Sequence, residues 1–172
     1  ASGIAFDPSS GTTKGRTNAI YAASATGGVF RSTNAGASFV AIPGGPANGV
    51  THGVARDGVY YAVSARGALW RYAKGAWWNF TPAGGASHQF HSIALDPHRA
   101  GRLVAGSDSA QVHVSMDLGE TWQTNWYYEP SVACPDAKWL CQAYDAAYLA
   151  NAAMMFDPVV PGRLWMSAGT SP

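Results

Sequence analysis

The residues of this chain that could do chemistry are ten carboxylates, five histidines, two cysteines and a set of clustered aromatics. Five of the acids stand where turns need them. Asp7, Asp96 and Asp157 precede proline, Asp57 precedes glycine, and Asp117 sits in a Ser-x-Asp-x-Gly segment, so each reads as a turn former. Asp108, Glu120, Glu129, Asp136 and Asp145 remain. Glu120 shares its turn with Asp117 and reads as a solvated charge. Glu129, Asp136 and Asp145 fall in a stretch without repeat pattern, where a solvated loop charge and a functional one both fit.

His113 alternates within an apolar run and His98 follows an Asp-Pro turn, which makes both structural. His88-Gln89-Phe90-His91 closes a loop that leads into a strand, a place where hydrogen-bonding side chains meet ligands. Metal binding there lacks a third ligand. The cysteines are Cys134 and Cys141, seven residues apart on either side of Pro135 and Trp139. They fit two free thiols, a metal pair, or a disulfide that staples the loop. With no second cysteine pair and no neighbouring histidine, the staple in a secreted protein is the reading taken. No metal site and no cofactor is expected.

The elements that position these groups show in a repeated turn. Ser32-Thr33-Asn34-Ala35-Gly36-Ala37-Ser38-Phe39 and Ser115-Met116-Asp117-Leu118-Gly119-Glu120-Thr121-Trp122 are copies of one pattern. Between them, Arg71 to Trp78 keeps Gly75 and Trp78 but has lost the serine and the acid. In this turn Asn34 or Asp117 folds back onto backbone N–H groups, and Gly36, Gly75 or Gly119 takes a positive φ. The closing aromatics Phe39, Trp78 and Trp122 are expected to wedge between neighbouring sheets. Repeats at about 40 residues match one four-stranded propeller blade.

A second ladder agrees. Apolar runs ending at Asp7, Asp57, Asp96 and Asp157 are followed by short alternating strands rich in β-branched and aromatic residues. The fold class is therefore all-β: a β-propeller of four-stranded antiparallel blades. Residues 1–172 read as one partial propeller, with blades at 1–42, 49–82 and 90–124, a partial blade at 152–172 and an insertion loop at 125–151. That is about three and a half blades of a seven-bladed ring. The one candidate helix is Ala143 to Ala153. A ring needs its edges paired, so the remaining half is expected in the same chain, in another chain or in a second copy.

Bulk properties narrow the function classes. A formal net charge of +1 with only 12% charged residues gives no electrostatic case for nucleic acid or an anionic membrane. No apolar run approaches the roughly 20 residues of a membrane span. The start at Ala1 reads as processed or truncated.

Taken together, the order of these segments resembles the Asp-box propellers, and among them the N-terminal propeller of glycoside hydrolase family 74. The carriers are Phe30 to Pro46, His52-Gly53-Val54-Ala55, Leu69 to Tyr72, Gly75 to Pro82, Ser115 to Trp122 and Phe156-Asp157-Pro158. The resemblance implies a secreted enzyme that cleaves xyloglucan or a related β-1,4-glucan by inversion, with a general acid and a general base on either side of a water. It places both catalytic aspartates outside this chain. The segment Ala25 to Arg31 echoes the family's first catalytic motif but has no carboxylate.

On that resemblance, the insertion lies at the substrate cleft. Its Trp126, Tyr127, Tyr128 and Trp139 offer flat faces for stacking on a pyranose, and His88, Phe90 and His91 offer contacts to sugar. Packing of the loop on its own blade explains the same aromatics, and is the better account of Tyr144 and Tyr148. Two departures from the family bear on specificity: the loop between Ser64 and Leu69 is short, and no long insertion precedes Val112. The alternative function is a non-catalytic propeller that binds protein or carbohydrate.

Overall fold

The computed structural model describes residues 3–24, 26–82, 89–107, 112–125 and 154–166. These residues divide into two units, Ala1–Thr81 and Pro82–Pro172. The first unit holds β1 (Ile4–Thr13), β2 (Arg16–Ala23), β3 (Val29–Ser32), β4 (Val40–Ile42), β5 (Val50–Arg56), β6 (Val59–Ser64), β7 (Leu69–Ala73) and β8 (Ala76–Asn79). The second holds β9 (Phe90–Leu95), β10 (Leu103–Ser107), β11 (Val112–Ser115), β12 (Gln123–Asn125), β13 (Met154–Phe156) and β14 (Leu164–Met166).

Each sheet is a meander. β1 to β4, β5 to β8 and β9 to β12 form three four-stranded sheets in chain order, and β13 pairs with β14. Every pairing is antiparallel. The fold is thus all-β and built from four-stranded antiparallel sheets.

Alternation gives the sheets their cores. In the first unit Ala5, Tyr21, Val29 and Ile42 of one sheet pack on Val50, Ala55, Tyr60 and Ala62 of the next. Tyr21 and Tyr60 stack across that seam, ring centroids 4.7 Å apart and 6° from parallel. Burial pushes both phenol pKa values above the ordinary tyrosine range. Gly53 makes room for Tyr60: a Cβ at that position would lie 2.3 Å from the Tyr60 hydroxyl. In the second unit Ala94, Val104, Val112 and Val114 pack on Met154 and Phe156.

Two aromatic expectations change. Phe39 and Trp78 keep 43% and 42% of their surface exposed rather than wedging between sheets. Pairing of Tyr72 with Trp77 in the β7–β8 hairpin puts Trp77 on the core face, edge-on to Tyr60 at 6.2 Å. Trp78, one residue on, falls on the opposite face of the outermost strand, with the Arg71 guanidinium 5.5 Å from its ring centre. Two-residue periodicity decides which of the two indoles is covered.

Antiparallel meanders sort their connections onto two ends. In each unit one end carries the hairpins after odd-numbered strands: β1–β2, β3–β4, β5–β6 and β7–β8 in the first, β9–β10, β11–β12 and β13–β14 in the second. This is the turn end. The opposite, loop end carries the connections that leave even-numbered strands, including segments 24–28, 43–49 and 65–68 of the first unit.

Candidate functional site

The acids come first, because hydrolytic chemistry would need them. Asp7, Asp57, Asp96, Asp117, Glu120 and Asp157 are the carboxylates among the described residues, and all six lie at the turn end. Asp96 and Asp157 directly follow the first strand of their sheets, whereas Asp7 lies within β1, at the point where its register with β2 shifts. Each is nearly buried, and each accepts from an amide two residues on: Ser9, His98 and Val159 at 3.1, 2.8 and 2.9 Å.

Their outer oxygens are also occupied. Asp7 Oδ2 accepts from the Gly58 amide of the next sheet at 2.8 Å. Asp96 is paired with the buried Arg102 guanidinium. Asp157 takes Arg163 at 3.5 Å and the Trp165 indole N–H at 3.3 Å. The amides of Val160 and Val159, more than any other cause, hold the Asp157 carboxyl below the usual range.

Asp57 is different from these three. It and Gly58 have φ of 54° and 75°, the two positive values of a tight hairpin turn. Its carboxylate is 73% exposed beside Arg56. Asp-Gly can adopt this turn whereas Asp-Pro cannot, since proline fixes φ near −65°.

The repeated turn is hydrogen-bonded alike in both copies. Ser32 Oγ donates to Asn34 Oδ1 at 2.9 Å and accepts from Gly36 N at 2.9 Å. Ser115 Oγ does the same with Asp117 Oδ1 at 2.7 Å and Gly119 N at 2.8 Å. Thr121 then donates to Asp117 through its hydroxyl at 2.5 Å and its amide at 2.9 Å. These bonds, with that of Ser115, hold the Asp117 carboxyl down to about 2. Lys74 and Gly75 instead make a two-residue loop with φ of 50° and 83°, joining Ala73 directly to Ala76. Asp7, Asp96, Asp117 and Asp157 are thus each engaged by donors of the protein's own turns and side chains.

The loop end is built differently. Three connections of the first unit are stitched together there. Val50 N donates to Ser24 O at 2.9 Å and Ala65 N to Gly49 O at 3.1 Å. The short loop after β6 is fixed by Ser64, whose carbonyl accepts from Gly67 N at 2.8 Å and whose hydroxyl accepts from Ala68 N at 3.0 Å. Asn48 and Arg66 are exposed on this framework, and Thr51 and His52 are half-buried.

The first strands of two sheets carry the same irregularity at this end. In β5, Val50 pairs with Ser64 and His52 with Val63, so Thr51 is an extra residue. In β9, Phe90 pairs with Ser107 and Ser92 with Gly106, so His91 is the extra residue. Such bulges on edge strands re-aim a side chain and recur beside functional sites.

The structure sorts the residues singled out from sequence. His91 lies on the β9 bulge and is half-exposed. Phe90 is a correction. It is 1% exposed, with its ring 4.8 Å from that of His113, so it offers no face to a sugar. The bulge slips the strand by one residue and carries Phe90 to the face of Ser107 and His113. Trp126, Tyr127, Tyr128, Trp139, His88, Cys134 and Cys141 lie outside the described residues, as do Asp108, Glu129, Asp136, Asp145 and the candidate helix. Sequence reasoning did not foresee the bulge at Thr51. A bulge leaves no mark in composition, although His52 stands two residues from the strand's start just as Ser92 does in β9. Among the described residues no group of three or more His, Cys, Asp or Glu could hold a metal ion.

Sequence comparison finds similar proteins. A xyloglucanase of Hypocrea jecorina is 32% identical over 169 residues, covering 80% of this chain and 20% of that protein. A xyloglucanase of a Paenibacillus species is 29% identical over 150 residues, covering 73% of this chain and 15% of that protein. The solved xyloglucanase of Xanthomonas campestris, of glycoside hydrolase family 74, superposes with a TM-score of 0.70 at 24% identity, over 97% of this chain and 26% of that one. The chain resembles a family 74 propeller. No family model matches it. This family 74-like chain spans about a fifth of the length of the curated relatives it matches, and its fold is that of the solved enzyme's sheets.

Proposed function

We propose that this chain is a segment of a secreted glycoside hydrolase that acts on xyloglucan or a related β-1,4-glucan. Its inverting chemistry would use two aspartates outside this chain, and the chain itself would form one wall of the substrate cleft. The observation that carries this reading is the segregation of acids. All six described carboxylates lie at the turn ends of the two units, and Asp7, Asp96, Asp117 and Asp157 are engaged there by the protein's own donors, which supports a catalytic pair elsewhere. Similarity to two xyloglucanases supports the substrate class.

The expected partner besides the polysaccharide is the rest of the propeller. Ile4 and Phe6 are 63% and 57% exposed on the face of the first sheet opposite its core. Register places them beside Ile20 and Ala22. A contiguous apolar face of this kind fits the face of another sheet. Neither nucleic acid nor a membrane is a partner in this reading.

The test uses the 172-residue chain. It should release no reducing sugar from xyloglucan, yet its migration in a xyloglucan-containing native gel should be retarded, and Trp126→Ala should abolish the retardation. Robust hydrolysis by this chain alone would overturn the assignment of the acids. Migration unaffected by xyloglucan would favour the second reading, a non-catalytic propeller for another ligand, which the acid-free loop end of the described residues also suits.

A further inference from the structure

We propose that two exposed sheet faces of this chain are the two halves of one joint, and that each takes its complement from a second copy of the chain. One is the face of Ile4, Phe6 and Phe30 in the first unit. The other is the face of Met155 and Trp165 in the second. The inference rests on the proposed propeller reading and deepens it by naming the occupant of both faces.

The rule of the joint is written in the two seams that the units already hold. Strands alternate their side chains between faces, and a shared sequence mark puts the first strands on one scale. Phe6-Asp7-Pro8, Leu95-Asp96-Pro97 and Phe156-Asp157-Pro158 carry that mark. Two residues before the aspartate stand Ala5, Ala94 and Met155. One and three residues before it stand Phe6 with Ile4 and Phe156 with Met154.

Ala5 and Ala94 lie on the faces that pack against the sheet next in sequence. Met154 and Phe156 lie on the face that packs against the sheet before. The same places are covered in one sheet and bare in another. Phe156 is 4% exposed, whereas Phe6 is 57% exposed. Ala94 is 3% exposed, whereas Met155 is 60% exposed. The first sheet thus presents a free leading face, and the last hairpin a free trailing face.

Both faces are apolar and continuous. Ile4, Ala22, Phe30 and Ala41 form one row across all four strands of the first sheet, with Phe6 and Ile20 beside it. No charged side chain stands in that row. On the hairpin, Met155 pairs directly with Trp165, and the Arg163 guanidinium lies 5.7 Å from the indole ring centre. Apolar faces of this kind mark association surfaces, and a formal net charge of +1 sets little repulsion between copies. In the second unit's seam a trailing face meets a leading one, so copies join tail to head. Such a contact leaves one free face at each end of a pair, and association grows until a ring closes.

The experiment is sedimentation velocity of the 172-residue chain over a concentration series, which should show species larger than one chain. Ile4→Glu spoils the leading face and Met155→Glu the trailing face. Each variant alone should associate about ten-fold more weakly or worse, as when an anchor residue of an interface is lost. Mixed in equal amounts, the two should recover a dimer, because each keeps the face that the other lacks. Thermal melting at the lowest concentration should show both variants folded as the parent. A parent that stays monomeric throughout would overturn the joint, as would either variant associating like the parent or a mixture without dimer. Xyloglucan retardation reads the proposed function separately, so that reading stands or falls by its own test.

Discussion

The two ends of each unit divide charge and hydrogen bonding between them. At the turn end, Asp7, Asp96, Asp117 and Asp157 point their oxygens into the protein's own amides, hydroxyls and guanidinium groups. At the loop end of the first unit, Asn48, Thr51, His52 and Arg66 stand on a frame held by backbone bonds. The difference teaches that a carboxylate-rich repeat need not be a catalytic one. An acid that terminates a strand is useful because its charge is already satisfied, and a satisfied charge is a poor proton carrier. Substitutions at the turn end should therefore change stability and not binding, and those at the loop end should do the reverse.

The sharpest way to break that contrast is Asp96→Ala. It leaves the buried Arg102 guanidinium without its partner and the His98 amide uncapped, for an expected loss of about 3–5 kcal/mol. Urea unfolding followed by tryptophan fluorescence measures it. A loss under 1 kcal/mol would show the pair to be dispensable. Between the two ends, Gly53→Ala should cost about 1–3 kcal/mol by overpacking, because the new methyl group meets the Tyr60 ring. Thermal denaturation reads it out, and an unchanged melting temperature would mean that the Tyr21–Tyr60 seam is loose.

The smallest effect is one of pH. Asp117 is bound in the folded state as the carboxylate, with its pKa lowered from 3.8 to about 2. A lowered folded value means that its contribution is complete above the unfolded pKa and is lost as pH falls from about 4 towards 2. Asp117→Asn converts the turn to the chemistry of the Asn34 copy, where the amide Nδ2 donates to Ser38 Oγ at 2.8 Å. The acid midpoint of unfolding should then move to lower pH, with affinity for xyloglucan unchanged. A midpoint that stays where it was would remove this turn from the acid response.

Much of the fold was legible from residue types alone. Strand alternation and the Gly-, Asp- and Pro-marked turns each reflect a local constraint on φ or on an amide, and local constraints survive in a sequence. What escaped was non-local. Trp77 and Trp78 are neighbours of equal hydrophobicity, and only cross-strand register decides which faces Tyr60. Phe90 reads as a ligand contact beside two histidines until a one-residue slip in β9 turns it under His113. Asp57 joins Asp7, Asp96 and Asp157 by spacing, yet the following glycine lets it adopt a backbone those three cannot. His91, the extra residue of the β9 bulge, stands out in sequence because it closes a visible loop. The β5 bulge at Thr51 does not, because nothing in Val50-Thr51-His52-Gly53 announces an extra residue.

The parallel tyrosines of the first unit set an alkaline limit on it. Both phenols resist ionisation while the sheets are closed over them, so hydroxide finds them more readily in the open chain. Base strong enough to ionise free tyrosine will therefore draw the first two sheets apart, and the red-shifted absorption of the freed phenolates will report the moment of parting.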